Sequence, residues 1–208
     1  MVVEAPYLKK MNIRLAVQAD ACAIAEIYRP IVASTPISFE IEPPDEQEMA
    51  RRIDHKLLAF PWLVCESEGQ IAGYAYGSTH RPRAAYQWSV ETSVYVHSGF
   101  RRRGIGKGLY VSLLRILAAQ GYFNAFAGIT LPNPGSVRLH ESVGFEQIGL
   151  YRSVGYKLGR WHDVGWWQLP LRQQSEAPVA AMTLDECRRT QGWDQILAAG
   201  LAHIHDAA

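Results

Sequence analysis

The stretch RRRGIGKGLY at residues 101–110 most constrains the fold, because it stands between a strand-like run and a helix-like run. The preceding YQWSVETSVYV alternates apolar and polar residues, as a half-buried strand does. After the glycines, apolar residues recur at helical spacing as far as Gly121, a typical helix end. The short apolar run NAFAGIT follows. We therefore expect two neighbouring parallel strands connected by this helix.

The remaining segments give the order of the other elements. NIRLA predicts a first strand, and ACAIAEIYRPIVAS and EPPDEQEMARRIDHKLLA predict two helices. WLVCESEGQIAGYAYG predicts two strands joined at the tight turn Glu68-Gly69. NPGSVRLHESVGF predicts a brief helix before two strands, around IGLYRSVGY and WHDVGWWQLPL. The order β-α-α-β-β-β-α-β-α-β-β indicates an α/β domain with a mixed sheet.

The two ends of the chain differ from this pattern. Residues 1–11 predict an N-terminal extension, residues 12–172 the α/β domain, and residues 173–208 a linker with a helical extension. Thr183 and Glu186 have capping-box spacing ahead of an apolar series that predicts one amphipathic helix. Its HIHD ending supplies two histidines and no further ligands in the segment, so we expect no metal site. The apolar series is Leu184, Cys187, Trp193, Ile196, Leu197 and Leu201.

Composition excludes several classes of protein. A net charge of +1 argues against general nucleic-acid binding, which normally needs a strongly basic face. Cys22, Cys65 and Cys187 are scattered, which predicts neither a disulfide framework nor a zinc knuckle. There is no apolar stretch of signal-peptide character and none near the roughly 18 residues of a membrane span. The sequence predicts a soluble, cytoplasmic protein without membrane contact.

The arginine-glycine segment fits neither of two familiar phosphate loops. A P-loop needs Ser or Thr after its Lys, but Lys107 is followed by Gly108. A dinucleotide fingerprint needs G-x-G-x-x-G and an acid about 20 residues on, whereas the spacing here is G-x-G-x-G with no acid near position 125. Arginines and the free N–H groups of a helix start can still bind a pyrophosphate. An exposed turn with solvated arginines is the alternative.

The sequence resembles the GNAT superfamily of acyl-CoA-dependent N-acetyltransferases. Arg101, Gly104 and Gly106 match its signature Q/R-x-x-G-x-G/A. Within it, FPWLV, AYQWSVETSVYV, LPNPGSVRLHESVGF and GYKLGRWHDVGWWQL are similar to phosphinothricin and methionine sulfoximine acetyltransferases, over about residues 12 to 171. The resemblance implies a mostly antiparallel mixed sheet flanked by helices and a homodimer. It also implies transfer of acetyl from acetyl-CoA, without a metal, to the α-amine of a small amino-acid-like acceptor.

The resemblance also implies a set of acetyl-CoA contacts. Backbone groups of β-strand residues would bind the pantetheine arm, the arginine loop would hold the pyrophosphate, and the segment LPNPGS would contribute polar side chains. Each such contact contributes about 0.3 to 2 kcal/mol, so several must act together. The implied cofactor residues are Val94, Tyr95, Val96, Arg101, Arg102, Arg103, Gly104, Ile105, Gly106, Lys107, Asn133 and Ser136.

Two residues are candidates for proton transfer, which amide formation needs because a free amine is mostly protonated near neutral pH. Glu91 lies in a strand-like run where Glu is disfavoured, and the related enzymes carry a Glu at this place. An edge-strand Glu in a salt bridge is the alternative. His140 stands where many GNAT enzymes have Tyr, and the narrower family also has His there. Acid, base and structural roles are all open for His140.

The acceptor is expected to meet HRPRAAY, where Arg81, Arg83 and Tyr86 resemble the family's substrate-binding segment. Guanidinium groups suit carboxylate, phosphinate and sulfoximine oxygens, although a basic surface loop would have the same composition. His162 and Asp163 have no nucleophile motif beside them and are interpreted as structural or as a pocket wall completed across a dimer. A peptide N-terminal acetyltransferase and a non-catalytic acyl-CoA-binding module are the competing functions.

Overall fold

The computed structural model describes residues 11–174 and 177–205 and confirms the expected order of elements. Its described strands form one sheet in the order β1-β2-β3-β4-β5-β7-β6. The strands are β1 (Met11–Leu15), β2 (Trp62–Ser67), β3 (Gln70–Thr79), β4 (Ser89–Val96), β5 (Asn124–Leu131), β6 (Glu146–Lys157) and β7 (Arg160–Pro170). The helices of the domain are α1 (Ala21–Ser34), α2 (Glu46–Leu57), α3 (Ile105–Gln120) and α4 (Pro134–Glu141).

One strand pair departs from the antiparallel pattern. β4 and β5 are parallel and are connected by α3, as the sequence predicts, while the other neighbouring pairs are antiparallel. The β2–β3 turn at Glu68 and Gly69 has φ of 51° and 79°, which is the left-handed geometry of a tight hairpin. The mixed, mostly antiparallel sheet of the prediction is confirmed.

The helices cover the sheet on both faces and create two cores. On one face, α3 packs its buried side chains Leu109, Leu113 and Leu117 against strand residues such as Val90. On the other face, α1 and α2 bury Ile24, Met49 and other side chains against β2 and β3. Side chains that alternate along β4 therefore enter opposite cores.

Two helix starts position the loops beside the sheet. Gly104 precedes α3 with a φ of 75°, a conformation that suits glycine, and Gly121 ends the helix with a φ of 108°. α4 begins after Asn133, whose side-chain oxygen accepts a hydrogen bond from the Ser136 N–H at 3.2 Å. Within the described residues, no helix is long and apolar enough to cross a bilayer.

The C-terminal segment contains two short helices rather than one. α5 (Leu184–Arg188) and α6 (Trp193–Ala198) are followed by a 3-10 turn at Ala199–His203. The predicted capping box is confirmed, since Thr183 Oγ1 accepts from the Glu186 N–H at 3.2 Å and Glu186 Oε2 accepts from the Thr183 N–H at 2.8 Å. The prediction of one continuous helix is wrong, because Gly192 adopts a φ of 89° between the two helices. Residues 1–10 of the expected N-terminal extension, 175–176 of the linker and 206–208 of the helical extension lie outside the described residues.

Candidate active site

The parallel strands β4 and β5 separate part-way along their length. They pair only where Ser89–Glu91 lies beside Asn124–Phe126, and β4 continues to Val96 without β5 on that edge. Alternate backbone N–H and C=O groups beyond Glu91 therefore point into a gap in the sheet. A small cavity of about 60 Å³ lies in this gap, lined by Thr92, Val94, Tyr110 and His140 among others. We call this opening the splay.

A larger cavity of about 510 Å³ runs from the splay to the arginine loop. Its loop end carries Arg101, Arg102 and Lys107, beside the first turn of α3, where backbone N–H groups have no partner within the helix. Apolar walls such as Ile37 and Leu139 line its length. The cavity suits an elongated ligand with a strongly anionic end, as coenzyme A is. All the predicted cofactor residues except one line it: Val94, Tyr95, Val96, Arg101, Arg102, Gly104, Ile105, Gly106, Lys107, Asn133 and Ser136.

The exception is Arg103, which does not line the cavity. Its guanidinium carbon lies 5.1 Å from the centroid of the Phe100 ring, and its backbone carbonyl accepts a hydrogen bond from the His205 N–H at 3.1 Å. The preceding Arg102 has a φ of 62°, so the chain turns sharply between the two arginines. The cation–π contact and this turn separate Arg103 from its neighbours.

Glu91 lies on the opposite face of β4 from Thr92, on the side covered by α1 and α2. A ring nitrogen of His80, Nδ1, donates to its Oε1 at 3.0 Å, and Arg81 Nη1 lies 3.8 Å from the same oxygen. His80 is held by stacking on Phe126, with ring centroids 4.2 Å apart. Glu91 does form an ion pair, as the structural alternative expected, but β4 is an interior strand and not an edge.

A third cavity, of about 250 Å³, adjoins Glu91 on the same face of the sheet. Ser78 lines it and is the cross-strand partner of Glu91, so the two side chains are neighbours. Stacked Trp62 and Tyr76, with ring centroids 4.4 Å apart, form an aromatic wall. The rest of the lining consists of Lys56 and Arg52 of α2 together with Tyr28, Met49 and Tyr74. We call this space the aromatic cavity.

Lys56 is a half-buried cation beside the candidate base. Burial lowers the pKa of Lys56, the nearby Arg52 lowers it further, and Glu91 opposes both effects. Arg52 itself is held by Glu40 and Glu48, each at 2.8 Å. No hydrogen bond or ion pair reaches Lys56 Nζ from residues 11–174 or 177–205. The aromatic cavity therefore offers a positive charge to an anionic group.

The predicted acceptor residues lie around the outer side of Glu91. The Arg81 guanidinium lies 5.5 Å from the Trp166 ring centroid, and Tyr86 contacts His80 edge-on at 5.9 Å. Arg83 is exposed, at the start of the 3-10 turn Ala84–Tyr86. The structure thus brings Arg81 and Tyr86 close to Glu91 and leaves Arg83 at the surface.

His140 lies on the other face of the sheet, against α3, and is only 4% exposed. Its Nδ1 is 2.8 Å from the Ser136 carbonyl, which can only accept, so Nδ1 carries the proton. Nε2 is then the acceptor for the Tyr110 hydroxyl at 2.8 Å. Burial lowers the pKa of His140, with partial opposition from the hydrogen bond to Ser136. His140 is therefore a neutral imidazole near neutral pH.

His162 and Asp163 have structural roles. His162 is buried and donates through Nε2 to the Lys157 carbonyl at 2.9 Å. Asp163 Oδ1 accepts from the Ser153 N–H at 2.7 Å within the β6–β7 hairpin. Both side chains therefore fix the shape of that hairpin, in agreement with the structural interpretation of the sequence. In the described part of the chain, no cluster of three or more His, Cys, Asp or Glu could hold a metal ion.

Three site residues have no counterpart in the sequence predictions. His80 stands at the start of HRPRAAY, but its contact with Glu91 depends on the β3–β4 register. In the sequence, Lys56 is recognisable only as a basic residue in the last turn of a predicted helix. Tyr110 lies among the apolar positions of α3 and looks like a core residue. Each is a functional candidate only once its neighbours in space are known.

The fold and the family match identify the chain as an acetyltransferase. A profile for the acetyltransferase (GNAT) domain matches residues 13–166, and the chain belongs to this family. It is similar to the phosphinothricin N-acetyltransferase of Streptomyces viridochromogenes, with 42% identity over 84% of this chain and 97% of that protein. It is also similar to the L-methionine sulfoximine/L-methionine sulfone acetyltransferase of Salmonella typhimurium, with 36% identity over 82% of this chain and 99% of that protein.

A solved structure has the same architecture. The phosphinothricin acetyltransferase of Sinorhizobium meliloti, determined in complex with acetyl-CoA, superposes with a TM-score of 0.77. It has 36% sequence identity, and the match covers 84% of this chain and 98% of that one. The expected GNAT fold and acetyltransferase class are thus confirmed.

Proposed function

We propose that this enzyme transfers acetyl from acetyl-CoA to the α-amine of a small amino-acid-like acceptor of the phosphinothricin or methionine sulfoximine type. The observation that carries the proposal is the meeting of two sites at the splay. A cationic elongated cavity reaches it along one side, and Glu91, flanked by Lys56 and Arg81, lies on the other. We assign residues 12–172 to the acetyltransferase domain and 173–208 to a linker and helical extension.

The cofactor cavity would bind acetyl-CoA at both of its ends. Arg101, Arg102, Lys107 and the α3 N-terminus would hold the pyrophosphate, and the free edge of β4 would pair with the amide groups of the pantetheine arm. When bound, acetyl-CoA supplies an activated acetyl thioester. A backbone N–H near Val94 would donate to the carbonyl oxygen as negative charge develops on it.

Glu91 would act as the general base. An α-ammonium group must lose a proton before its nitrogen can attack, and a carboxylate within hydrogen-bond reach, or one water away, can accept that proton. His80 donates to Oε1 and leaves Oε2 for the acceptor. We therefore assign His80 a positioning role, in which stacking on Phe126 fixes the imidazole and the imidazole fixes the carboxylate.

His140 would serve the cofactor side of the splay. A general acid at this place would need the second imidazole proton, which burial disfavours. The neutral ring instead accepts a hydrogen bond from the Tyr110 hydroxyl at 2.8 Å. Both ring nitrogens are thus engaged, and burial disfavours the imidazolium that either an acid or a base role would pass through, so this arrangement favours a positioning role for His140.

The acceptor would lie across Glu91 with its charged groups on either side. Arg81 is 3.8 Å from the Glu91 carboxylate, so an amine held at Glu91 places its neighbouring α-carboxylate near that guanidinium. The acceptor side chain would then enter the aromatic cavity, where Lys56 favours an anionic or strongly polar end. A cavity closed by α1 and α2 suits a small zwitterion better than an extended peptide.

Thiol release from acetyl-CoA tests the assignment. The acceptors would be phosphinothricin, methionine sulfoximine, methionine sulfone, free amino acids and short peptides, at matched concentrations. We expect turnover with the small zwitterions and little with peptides. Preference for peptides would contradict the acceptor class, and coenzyme A binding without turnover on any amine would favour a non-catalytic acyl-CoA-binding module.

We further propose a homodimer in a reducing cytoplasm. Large apolar side chains on the outer hairpin support the dimer, with Ile148, Tyr156 and Trp161 exposed by 54%, 58% and 62%. The described cysteines are free thiols, which suits a reducing compartment. Sedimentation equilibrium would show a species of twice the chain mass, and a monomer at micromolar concentration would contradict the dimer.

A further inference from the structure

The C-terminal tail, defined as residues 177–205, runs along the whole length of α3. At the C-terminal end of the helix, the Met182 N–H donates to the Gln120 carbonyl at 2.7 Å. At the other end, the His205 N–H donates to the Arg103 carbonyl at 3.1 Å, inside the arginine loop. Leu184 and Cys187 of α5 are buried between these ends. The tail lies beyond residue 166, where the family match ends.

Ser112 joins the middle of α3 to the tail. Its hydroxyl donates to the Leu197 carbonyl at 2.7 Å and accepts from the Gly200 N–H at 3.0 Å. Ser112 is fully buried, so both bonds are shielded from water. The tail is thus attached to α3 by specific polar contacts as well as by apolar packing.

Two glycines of the arginine-glycine segment face the tail. Gly104, Gly108 and Ser112 are four residues apart and share one face of the helix. A Cβ at Gly104 would lie 1.8 Å from the His203 carbonyl oxygen, and one at Gly108 would lie 2.8 Å from the Gly200 carbonyl oxygen. The two backbones are therefore in direct contact, which larger residues at these positions would prevent.

Gly106 has the opposite orientation. A Cβ there would meet Leu139 at 3.0 Å, on the side of the cofactor cavity. The three glycines are thus divided between two partners, since Gly106 faces the ligand side and Gly108 faces the tail without lining the cavity. The tail therefore leaves no room for a Cβ at position 108, which lies outside the lining of the cofactor cavity.

We propose that the tail is an intramolecular brace that sets the affinity for acyl-CoA by holding the arginine loop in its binding conformation, a proposal that rests on the proposed function. Ordering a loop at the moment of binding reduces affinity, so a loop held in advance binds more tightly. The brace acts on the loop through the Arg103 carbonyl and on the first turn of α3 through Gly104 and Gly108. Gly108 and Ser112 are positioning residues, since neither touches the cavity.

The brace predicts a reciprocal effect. If tail docking strengthens coenzyme A binding by some factor, coenzyme A must strengthen tail docking by the same factor. Hydrogen–deuterium exchange of residues 184–205 in the wild-type protein, with and without coenzyme A, measures this directly. We expect slower exchange with the ligand, at least about fivefold for the slowest tail amides. Unchanged exchange at saturating coenzyme A would overturn the proposal.

Two substitutions test the same coupling from the other side. Gly108→Ala brings a Cβ against the Gly200 carbonyl while favouring the helix itself, and Ser112→Ala removes both hydroxyl bonds. We expect the coenzyme A Kd to rise at least about fivefold in each, with faster exchange in the tail. Ser142→Ala is the control, because that hydroxyl bonds only to the Leu139 carbonyl at the end of α4.

The outcomes separate the brace from the proposed function. Calorimetry with coenzyme A alone needs no acceptor and no turnover. A Kd that is unchanged while tail exchange accelerates in Gly108→Ala would overturn the brace alone. A wild-type protein that does not bind coenzyme A would overturn the proposed function and the brace with it.

Discussion

The cofactor side and the acceptor side of the splay are built in different ways. The cofactor side comes mainly from two short stretches, residues 94–107 and 133–139, with Ile31 and Ile37 added from α1 and the segment after it. The acceptor side brings together α2, β3, β4 and β7, and its key groups are single side chains such as Lys56, His80 and Glu91. A site that binds its ligand through many weak contacts should tolerate the loss of one of them. A site that depends on a few charged side chains should lose most of its activity when one is removed.

The largest effect is expected on the acceptor side, at Glu91. Replacing it with Gln keeps the shape but removes the proton acceptor, so kcat should fall by about 10²- to 10⁴-fold. The coenzyme A Kd should stay unchanged, because Glu91 does not line the cofactor cavity. Thiol release from acetyl-CoA measures kcat, and calorimetry measures the coenzyme A Kd. Glu141→Gln, at an exposed position of α4, is the control, and wild-type turnover in Glu91→Gln would refute the assigned base.

Replacing Lys56 should have the next largest effect on activity. Lys56→Met keeps the length of the side chain and removes its charge, so kcat/KM for phosphinothricin should fall by about 10- to 100-fold, the size of a lost charged hydrogen bond. Methionine sulfone, with an uncharged side-chain end, should be affected less. Arg51→Met, on the same helix with a side chain 76% exposed, is the matched control. Equal losses for both acceptors would show that Lys56 does not select the side-chain charge.

His80 should have a smaller effect, because it acts through Glu91. His80→Phe preserves stacking on Phe126 and removes the hydrogen bond to the carboxylate, and we expect kcat to fall about tenfold, or about 1.4 kcal/mol. The acceptor KM should change little, and the acid limb of the pH–rate profile should move. His55→Phe, exposed on α2, controls for the substitution. An unmoved pH profile would indicate a purely structural histidine.

Replacing a single arginine of the cofactor loop should have the smallest of these effects, and it should appear in the coenzyme A Kd. Arg102→Ala should raise the coenzyme A Kd by about two- to fivefold, the usual effect of one exposed cationic contact. Arg103→Ala is the comparison within the loop, since its guanidinium lies over Phe100 and outside the cavity. Calorimetry at low and high salt separates the two, because a phosphate contact weakens with salt. An increase in Kd for Arg103→Ala as large as that for Arg102→Ala would contradict the placement of the Arg103 guanidinium over Phe100.

His140 gives a prediction for stability rather than turnover. Its pKa is lowered by burial from an ordinary value of 6.5, so below about pH 6.5 the unfolded chain binds a proton that the folded chain does not. The free energy of unfolding should therefore decrease as the pH falls through that region, by up to about 1.4 kcal/mol per pH unit from this group. Urea unfolding from pH 8 to pH 5 should show a shallower pH dependence in His140→Asn. Identical slopes would mean that His140 is not neutral in the fold.

The cofactor side could be predicted from the sequence more fully than the acceptor side. Arg101, Gly104 and Asn133 belong to contiguous motifs, and the parallel pairing of β4 with β5 follows from the helix that connects them, so these features are readable from the chain. The position of β7 between β5 and β6 was not predicted. The pairing of His80 with Glu91 depends on strand register, and the charge of Lys56 at the aromatic cavity depends on how α2 packs. The break at Gly192 was missed because apolar spacing continues across it while the backbone does not.

A crystal structure with coenzyme A and L-methionine sulfone would show whether the cofactor cavity and the aromatic cavity meet at Glu91, since both sites must be filled at once. We predict the coenzyme A thiol in the splay and the acceptor amine at about 2.6–3.2 Å from Glu91 Oε2, directly or through one water. The α-carboxylate should face Arg81, with the side chain in the aromatic cavity. An acceptor bound beside His140 on the α3 face, away from Glu91, would contradict the account.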